Sequence, residues 1–237
     1  GREAKARKEL ASQQQRSFAA AQLNRLTSSW RATAERIDDE LRNDLDALRH
    51  RSRSLENNND YARNYFDIVE TNIIGENAPR LVPLIDNAPG SPDDGARRAV
   101  SRAWAEWCQK GVCEVTGQYS FATLCQNIAR GTARDGEYAV EILRGRAAGN
   151  RFGFALRVID VERLATWMHR EAGEGKEAII NGVQVDANGK PAGYWFNQSA
   201  RLSSRQAEFM PANAILHRFR ITRPEQKRGI PWAHASM

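Results

Sequence analysis

Residues 120–143, SFATLCQNIARGTARDGEYAVEIL, change period in mid-course. In the first half Phe121, Leu124, Cys125 and Ile128 recur at helical spacing and share one face; Ser120 or Tyr119 starts this helix, and the glycines at 131 and 136 mark its end. From Tyr138 the rhythm becomes two. Tyr138, Val140 and Ile142 alternate with Ala139, Glu141 and Leu143, the signature of a strand with unlike faces. The periodic segments before this switch are mostly helical and those after it mostly strands, so the stretch divides the chain into a helical front and a β-rich back.

Working towards the N-terminus, Ile37, Leu41, Leu45, Leu48 and Leu55 fall on one face of a long amphipathic helix, with Thr33 as a candidate cap. Asn57-Asn58-Asn59-Asp60 interrupts it, because these side chains compete with helical hydrogen bonds, and Asn59 or Asp60 can cap a second helix over 61–74, followed by Gly75. A short strand is expected at 81–85, kept to an edge or an irregular run by Pro79 and Pro83. Residues 87–94 form a loop, and Asp93 or Asp94 caps a third helix reaching Lys110, with Trp104, Trp107 and Cys108 on one face.

Working towards the C-terminus, a Gly- and Arg-rich break at 145–149 precedes a strand at 152–159. Strands at 179–185 and 193–196 flank Asp186-Ala187-Asn188-Gly189, a strong hairpin signal because Asn-Gly tolerates positive φ. A last strand covers 215–219. Gly229-Ile230-Pro231-Trp232 reads as the opening of another helix, with Pro231 at a permitted first-turn position, and a sequence that stops there reads as the front of a longer chain. The fold class expected is α+β: N-terminal helices followed by an antiparallel β-rich subdomain. The organisation expected is a basic arm at 1–31, a helical segment at 32–78 and an α+β domain at 79–237.

The charge is uneven. Residues 1–31 contain seven Lys or Arg against two Glu, a net of +5 out of +6 for the 237-residue chain, so the body is nearly neutral. A broad duplex-binding face would need its cations on that body. The arm's Arg2, Lys5, Arg7, Lys8 and Arg16 are the candidate contacts to DNA or to an acidic partner. The three cysteines are an odd number and follow no secretory signal, and no run of 18 apolar residues appears, so an intracellular setting without a membrane span is expected.

Chemistry-bearing motifs are few. Cys108 and Cys113 lack a second ligand pair at zinc spacing, and Cys125 lies on an apolar helical face, so all three read as core thiols. His50, His169, His217 and His234 are scattered. The glycines at 145 and 149 lack the Gly-Lys-Ser/Thr half of a P-loop. Asp160, Glu162, Glu171, Glu174 and Glu177 offer carboxylates for a metal-dependent nuclease, although most sit in a Gly-rich stretch where a solvated turn is the plainer reading. No catalytic, cofactor or metal residue is assigned.

Three stretches carry a resemblance. The first is Arg53-Ser-Leu-Glu-Asn-Asn-Asn-Asp-Tyr-Ala with Thr71-Asn-Ile-Ile-Gly75. The second is Gly182-Val-Gln-Val-Asp-Ala-Asn-Gly-Lys-Pro-Ala-Gly-Tyr194. The third is Ile215-Leu-His-Arg-Phe219 followed by Arg223-Pro-Glu-Gln-Lys-Arg-Gly-Ile-Pro-Trp232, and it is the most specific. In this order they resemble the lambda family of bacteriophage portal proteins. The resemblance covers about the first half of such a protein and implies its wing, without the stem, clip and crown. It implies a structural, non-enzymatic subunit of a dodecameric ring at one capsid vertex, through which DNA is packaged and ejected. The implied partners are other copies of the chain, terminase, the major capsid protein or scaffold, head-completion proteins and double-stranded DNA, with no membrane. The implied location is the virion, and the host cytoplasm during assembly. Within the third stretch Gln226, Arg228 and Gly229 are the candidate subunit-interface residues: Gly229 for a backbone conformation that other residues resist, Arg228 for a planar fork that Lys would not reproduce. The same turn can equally be held within one subunit. The competing functional classes are a nucleic-acid-processing enzyme, such as a nuclease using Asp160, and a small DNA-binding protein using the arm.

Overall fold

The computed structural model describes residues 36–76, 78–173, 175–198 and 206–236. Contacts divide the chain into residues 1–36 and one compact unit, Ile37–Met237, which holds the helices and both larger sheets. The helices are α1 (Ile37–Asn58), α2 (Asp60–Ile73), α3 (Asp94–Trp107) and α4 (Phe121–Asp135). A two-residue hairpin of β1 (Asp86–Ala88) and β2 (Ser91–Pro92) precedes α3. The remaining strands are β3 (Glu137–Arg144), β4 (Phe154–Ile159), β5 (Ala178–Ile180), β6 (Val183–Val185), β7 (Pro191–Asn197), β8 (Ala207–Pro211) and β9 (Ile215–Phe219). All sheet pairings are antiparallel, in the orders β4-β3-β9 and β5-β6-β7-β8. The fold is α+β.

The caps follow from side-chain chemistry. The Asn59 side chain accepts from the Ala62 N–H and starts α2, and Asp93 accepts from Ala96 and starts α3. Ser120 starts α4 with a reciprocal capping box, Thr123 answering the Ser120 N–H at 2.9 Å. Helix α3 stops at Trp107, short of Lys110, because residues 108–113 turn back to place Cys113 in the core. Thr33 lies outside the described residues.

Strand β3 packs against neighbours on both faces. Ala139 joins Ile159, Ile215, Val183, Tyr194 and Phe196 in the core between the two sheets. Val140, on the opposite face, packs with Leu156, Leu124, Trp107 and Cys113 beneath the helices. A third, small cluster joins Ile37, Leu41 and Leu45 of α1 to Ile230 near the C-terminus.

Three expectations change. Residues 179–185 are two strands, β5 and β6, folded at Asn181-Gly182, where both residues have positive φ (50° and 87°) as a tight hairpin turn requires. Residues 81–85 form no strand, pairing with no strand among the described residues. Residues 229–233 do not open a helix: Ile230 is drawn onto α1 and the Trp232 N–H onto the Ala133 carbonyl, leaving only a 3₁₀ turn at His234–Ser236. The Asp186–Gly189 turn forms as expected, with the Asp186 carboxylate accepting from the Asn188 and Lys190 N–H groups.

Candidate functional site

The C-terminal run 222–232 threads between α1, the start of β3 and the Asn181-Gly182 turn, and the side chains that hold it form the most concentrated polar constellation in the described structure. Its centre is Glu137, the first residue of β3. The strand's register turns Glu137 to the same side as Ala139, into the interior, where its side chain is 0% exposed. Arg228, also 0% exposed, donates from Nε and Nη2 to Glu137 Oε1 at 3.0 and 2.8 Å. Arg49 of α1 pairs with the same oxygen through Nη2. On Oε2 the carboxylate accepts the Gly229 N–H at 2.8 Å, and His217 Nε2 of β9 lies 2.9 Å away. Arg228 also donates from Nη1 to the Asn181 carbonyl and, at 3.3 Å, to the Thr166 hydroxyl.

The neighbouring residues fix the same turn. The Gln226 carboxamide accepts from the Thr222 N–H at 2.8 Å and donates to the Arg228 carbonyl at 2.6 Å. Asp38 of α1 accepts from the Lys227 N–H at 3.0 Å, and its own carbonyl accepts from the Asn181 amide at 2.6 Å. A Cβ on Gly229 would sit 2.1 Å from the Gly136 carbonyl oxygen, and one on Gly136 2.3 Å from the Ile230 carbonyl carbon. Two backbones cross here at a distance that only glycine permits. Gly229 is therefore required for this approach, not for the unusual φ expected of it, which it does not adopt.

Electrostatics decide the protonation states. Burial alone would raise the Glu137 carboxyl, but the adjacent Arg228 and Arg49 charges and the His217 hydrogen bond outweigh it and hold the group well below the usual carboxylate range. Burial pulls the Arg49 guanidinium down, and Glu137 opposes that pull. A carboxylate so saturated with donors is no general base. Its chemistry is that of a fastener joining α1, β3, β9, the 181–182 turn and the C-terminal run.

A second, more exposed network continues outward. Arg53 of α1 binds Asp135 at 2.8 Å, Asp160 at 2.7 Å and Glu162 at 2.9 Å; Arg134 links Asp135 to Glu56; Arg130 links Glu56 to Asp67 and Glu70 of α2. Asp160 is thus an arginine partner, and hydrogen bonds from Arg53 help keep it ionised against the effect of burial. Glu171 lies in an exposed loop beside His169, Glu177 accepts from the Gln184 amide, and Glu174 lies outside the described residues. The candidate nuclease carboxylates are dispersed, and among the described residues no group of three His, Cys, Asp or Glu is placed to hold a metal ion. Cys113 is buried and its thiol is pushed up to about 11 by that burial; Cys108 and Cys125, also free, are raised as well.

Of the residues singled out from sequence, Gln226, Arg228 and Gly229 come together and are buried inside the subunit, so the Arg228 fork is spent on acceptors of its own chain. Arg2, Lys5, Arg7, Lys8 and Arg16 lie outside the described residues. Sequence reasoning missed Glu137 and Arg49. The available signal was a glutamate in register with the inward Ala139, which demands a buried cation.

The family model described as phage portal protein, lambda family, matches residues 23–237. A protein of Halomonas phage phiHAP-1 named "Probable portal protein" is 34% identical over 228 residues, covering 93% of this chain and 43% of the relative. The chain therefore spans less than half the length of that curated relative.

Glu137→Gln leaves the buried Arg228 without its counter-charge and Arg49 with only the more distant Asp46 at 3.8 Å, and is expected to cost the subunit about 3–5 kcal/mol, with Arg228→Ala similar. Because the folded-state value of Glu137 is depressed, its contribution is complete above the unfolded value near 4.5 and is lost only as pH falls further, through the folded value. Urea titrations from pH 7 to pH 3 should show a constant gap between wild type and Glu137→Gln down to about pH 4.5, narrowing below it.

Proposed function

The chain belongs to the lambda family of phage portal proteins, and from that premise we propose that it is the wing-bearing part of a subunit that closes into a dodecameric ring at one capsid vertex. DNA passes through that ring during packaging and ejection, and the ring docks terminase, the capsid protein or scaffold, and head-completion proteins, in the virion and, during assembly, in the host cytoplasm. The family match, continuous over residues 23–237, carries this reading. Two physical features support it. The body beyond the arm is nearly neutral, as suits a surface meeting protein neighbours. The buried fastener makes helices and sheets one body, and ring closure needs rigid bodies because a small angular error repeats at every interface.

In this reading the protein has no reaction of its own, and the packaging ATPase is a separate partner. The nuclease alternative gains nothing from Asp160, whose carboxylate is engaged by Arg53. The basic arm makes weak, sequence-independent contact with DNA or an acidic partner, multiplied around the ring by repetition.

Negative-stain microscopy of the protein expressed from its whole reading frame should show closed twelve-fold rings; monomers or open filaments would contradict the proposal. Deleting residues 2–31 should flatten the salt dependence of DNA binding by those rings, whereas an unchanged slope would remove the arm from any DNA contact.

A further inference from the structure

Glu114 is a buried carboxylate without a counter-charge. It lies in the turn between α3 and α4, only 1% exposed. Backbone hydrogen bonds on either side pin it to β4: the Leu156 N–H donates to the Cys113 carbonyl at 2.8 Å, and the Val115 N–H to the Leu156 carbonyl at 3.0 Å. Its oxygens accept from Thr116 alone, from the N–H at 3.0 Å and from the hydroxyl at 2.7 Å. The other buried carboxylates each face a cation. Asp38 faces Lys227, Glu56 faces Arg130 and Arg134, Asp135 faces Arg53 and Arg134, and Glu137 faces Arg49 and Arg228. Among the described residues Glu114 makes no ion pair. A charge taken out of water without a partner is strongly disfavoured.

Glu114 lines a cavity of about 350 Å³ bounded by α4, β3, β4 and the 114–119 turn, a volume in the range of small-molecule sites. Arg53 and Arg134 also line it, but both guanidiniums are engaged: Arg53 by Asp135, Asp160 and Glu162, Arg134 by Asp135 and Glu56. The cavity therefore keeps an excess of negative charge, centred on Glu114. Gly131 opens it from the α4 side. A glycine inside a helix is destabilising relative to alanine, and a Cβ here would meet nothing within 4 Å, so no neighbour in the fold requires it. What Gly131 leaves is room. Ile128 and Val158 add apolar wall, and Tyr119 and Tyr138 add aromatic rings, whose faces attract cations.

We propose that this cavity binds a small primary alkylammonium ion, with its charged head paired to Glu114 and its hydrocarbon stem against Ile128 and Val158. The ammonium supplies the missing counter-charge, and its N–H donors match the acceptor capacity that Thr116 leaves on the carboxylate. An anion would meet Glu114, Asp135 and Asp160 together. A bare metal ion would lack ligands, since no group of three His, Cys, Asp or Glu among the described residues is placed to hold one. The site lies within one subunit and does not depend on ring formation.

The probe is n-butylammonium, titrated at fixed ionic strength into the protein expressed from its whole reading frame and followed by ligand-observed NMR. Binding should saturate and be about tenfold or more tighter than that of n-butanol, which has the same stem and no charge. Glu114→Gln keeps an acceptor for Thr116 and removes the charge. It should weaken butylammonium binding about tenfold or more while melting at or above the wild-type temperature, because a lone buried charge is gone. Gly131→Leu leaves Glu114 untouched and fills the space; it should abolish binding without lowering the melting temperature. Butanol binding as tightly as butylammonium, or Glu114→Gln binding like wild type, would overturn the charge pairing. Gly131→Leu binding like wild type would put the amine elsewhere and overturn the cavity as its site. Nα-acetyl-lysine methylamide carries the same head on a peptide backbone and should bind more weakly; tighter binding would assign the site to a lysine side chain of a polypeptide and overturn the free amine. Wild-type protein that binds no butylammonium would overturn the proposal outright and leave the ring reading standing.

Discussion

Glu137 is a buried carboxylate with its accepting capacity filled: Arg49, Arg228, His217 and the Gly229 N–H all converge on its two oxygens. Burying one carboxylate and two guanidiniums carries a large desolvation cost, which only near-complete hydrogen bonding offsets. Such a cluster is a weak source of net stability. Its effect is on arrangement, because each partner arrives from a different part of the chain and any misplacement leaves a charge stranded in the interior. Arg49 fixes the angle at which α1 crosses the start of β3. Arg228 fixes where the C-terminal run enters, and its contact with the Asn181 carbonyl ties the four-stranded sheet to the three-stranded one.

The outer arginines extend the same logic with less at stake. Arg53, Arg134 and Arg130 bridge α1, α2, α4 and the end of β4, so that the helical front and the β-rich back share one set of ionic contacts. These pairs are partly solvated, and each contributes less than the buried one. Together they connect α2 to the interior fastener.

Much of this was legible in sequence where the cause is local. The caps at Asn59, Asp93 and Ser120, the change of period after Gly136 and the Asp186–Gly189 turn all follow from residues within a few positions of one another. The misreadings have non-local or competing causes. The Asn181-Gly182 turn lay inside a run apolar enough to pass for one strand. Residues 81–85 have strand composition, but a strand is defined by its partner, and none lies among the described residues. Pro231 suits a helix start, yet the pull of Ile230 onto α1 and of Trp232 onto Ala133 prevails. Arg228 stood out by its family-specific setting, but its partner is 91 positions away, and nothing near it in sequence says that its fork points inward.

The central physical claim is that Arg228 and Glu137 act as one unit inside the subunit, and a double-mutant cycle tests it most directly. Urea unfolding of wild type, Arg228→Met, Glu137→Leu and the double variant gives the coupling energy. The account predicts a coupling above about 1.5 kcal/mol, with the double variant far less destabilised than the sum of the single variants. Additivity within about 0.5 kcal/mol would mean that the two residues do not depend on each other, and would contradict it.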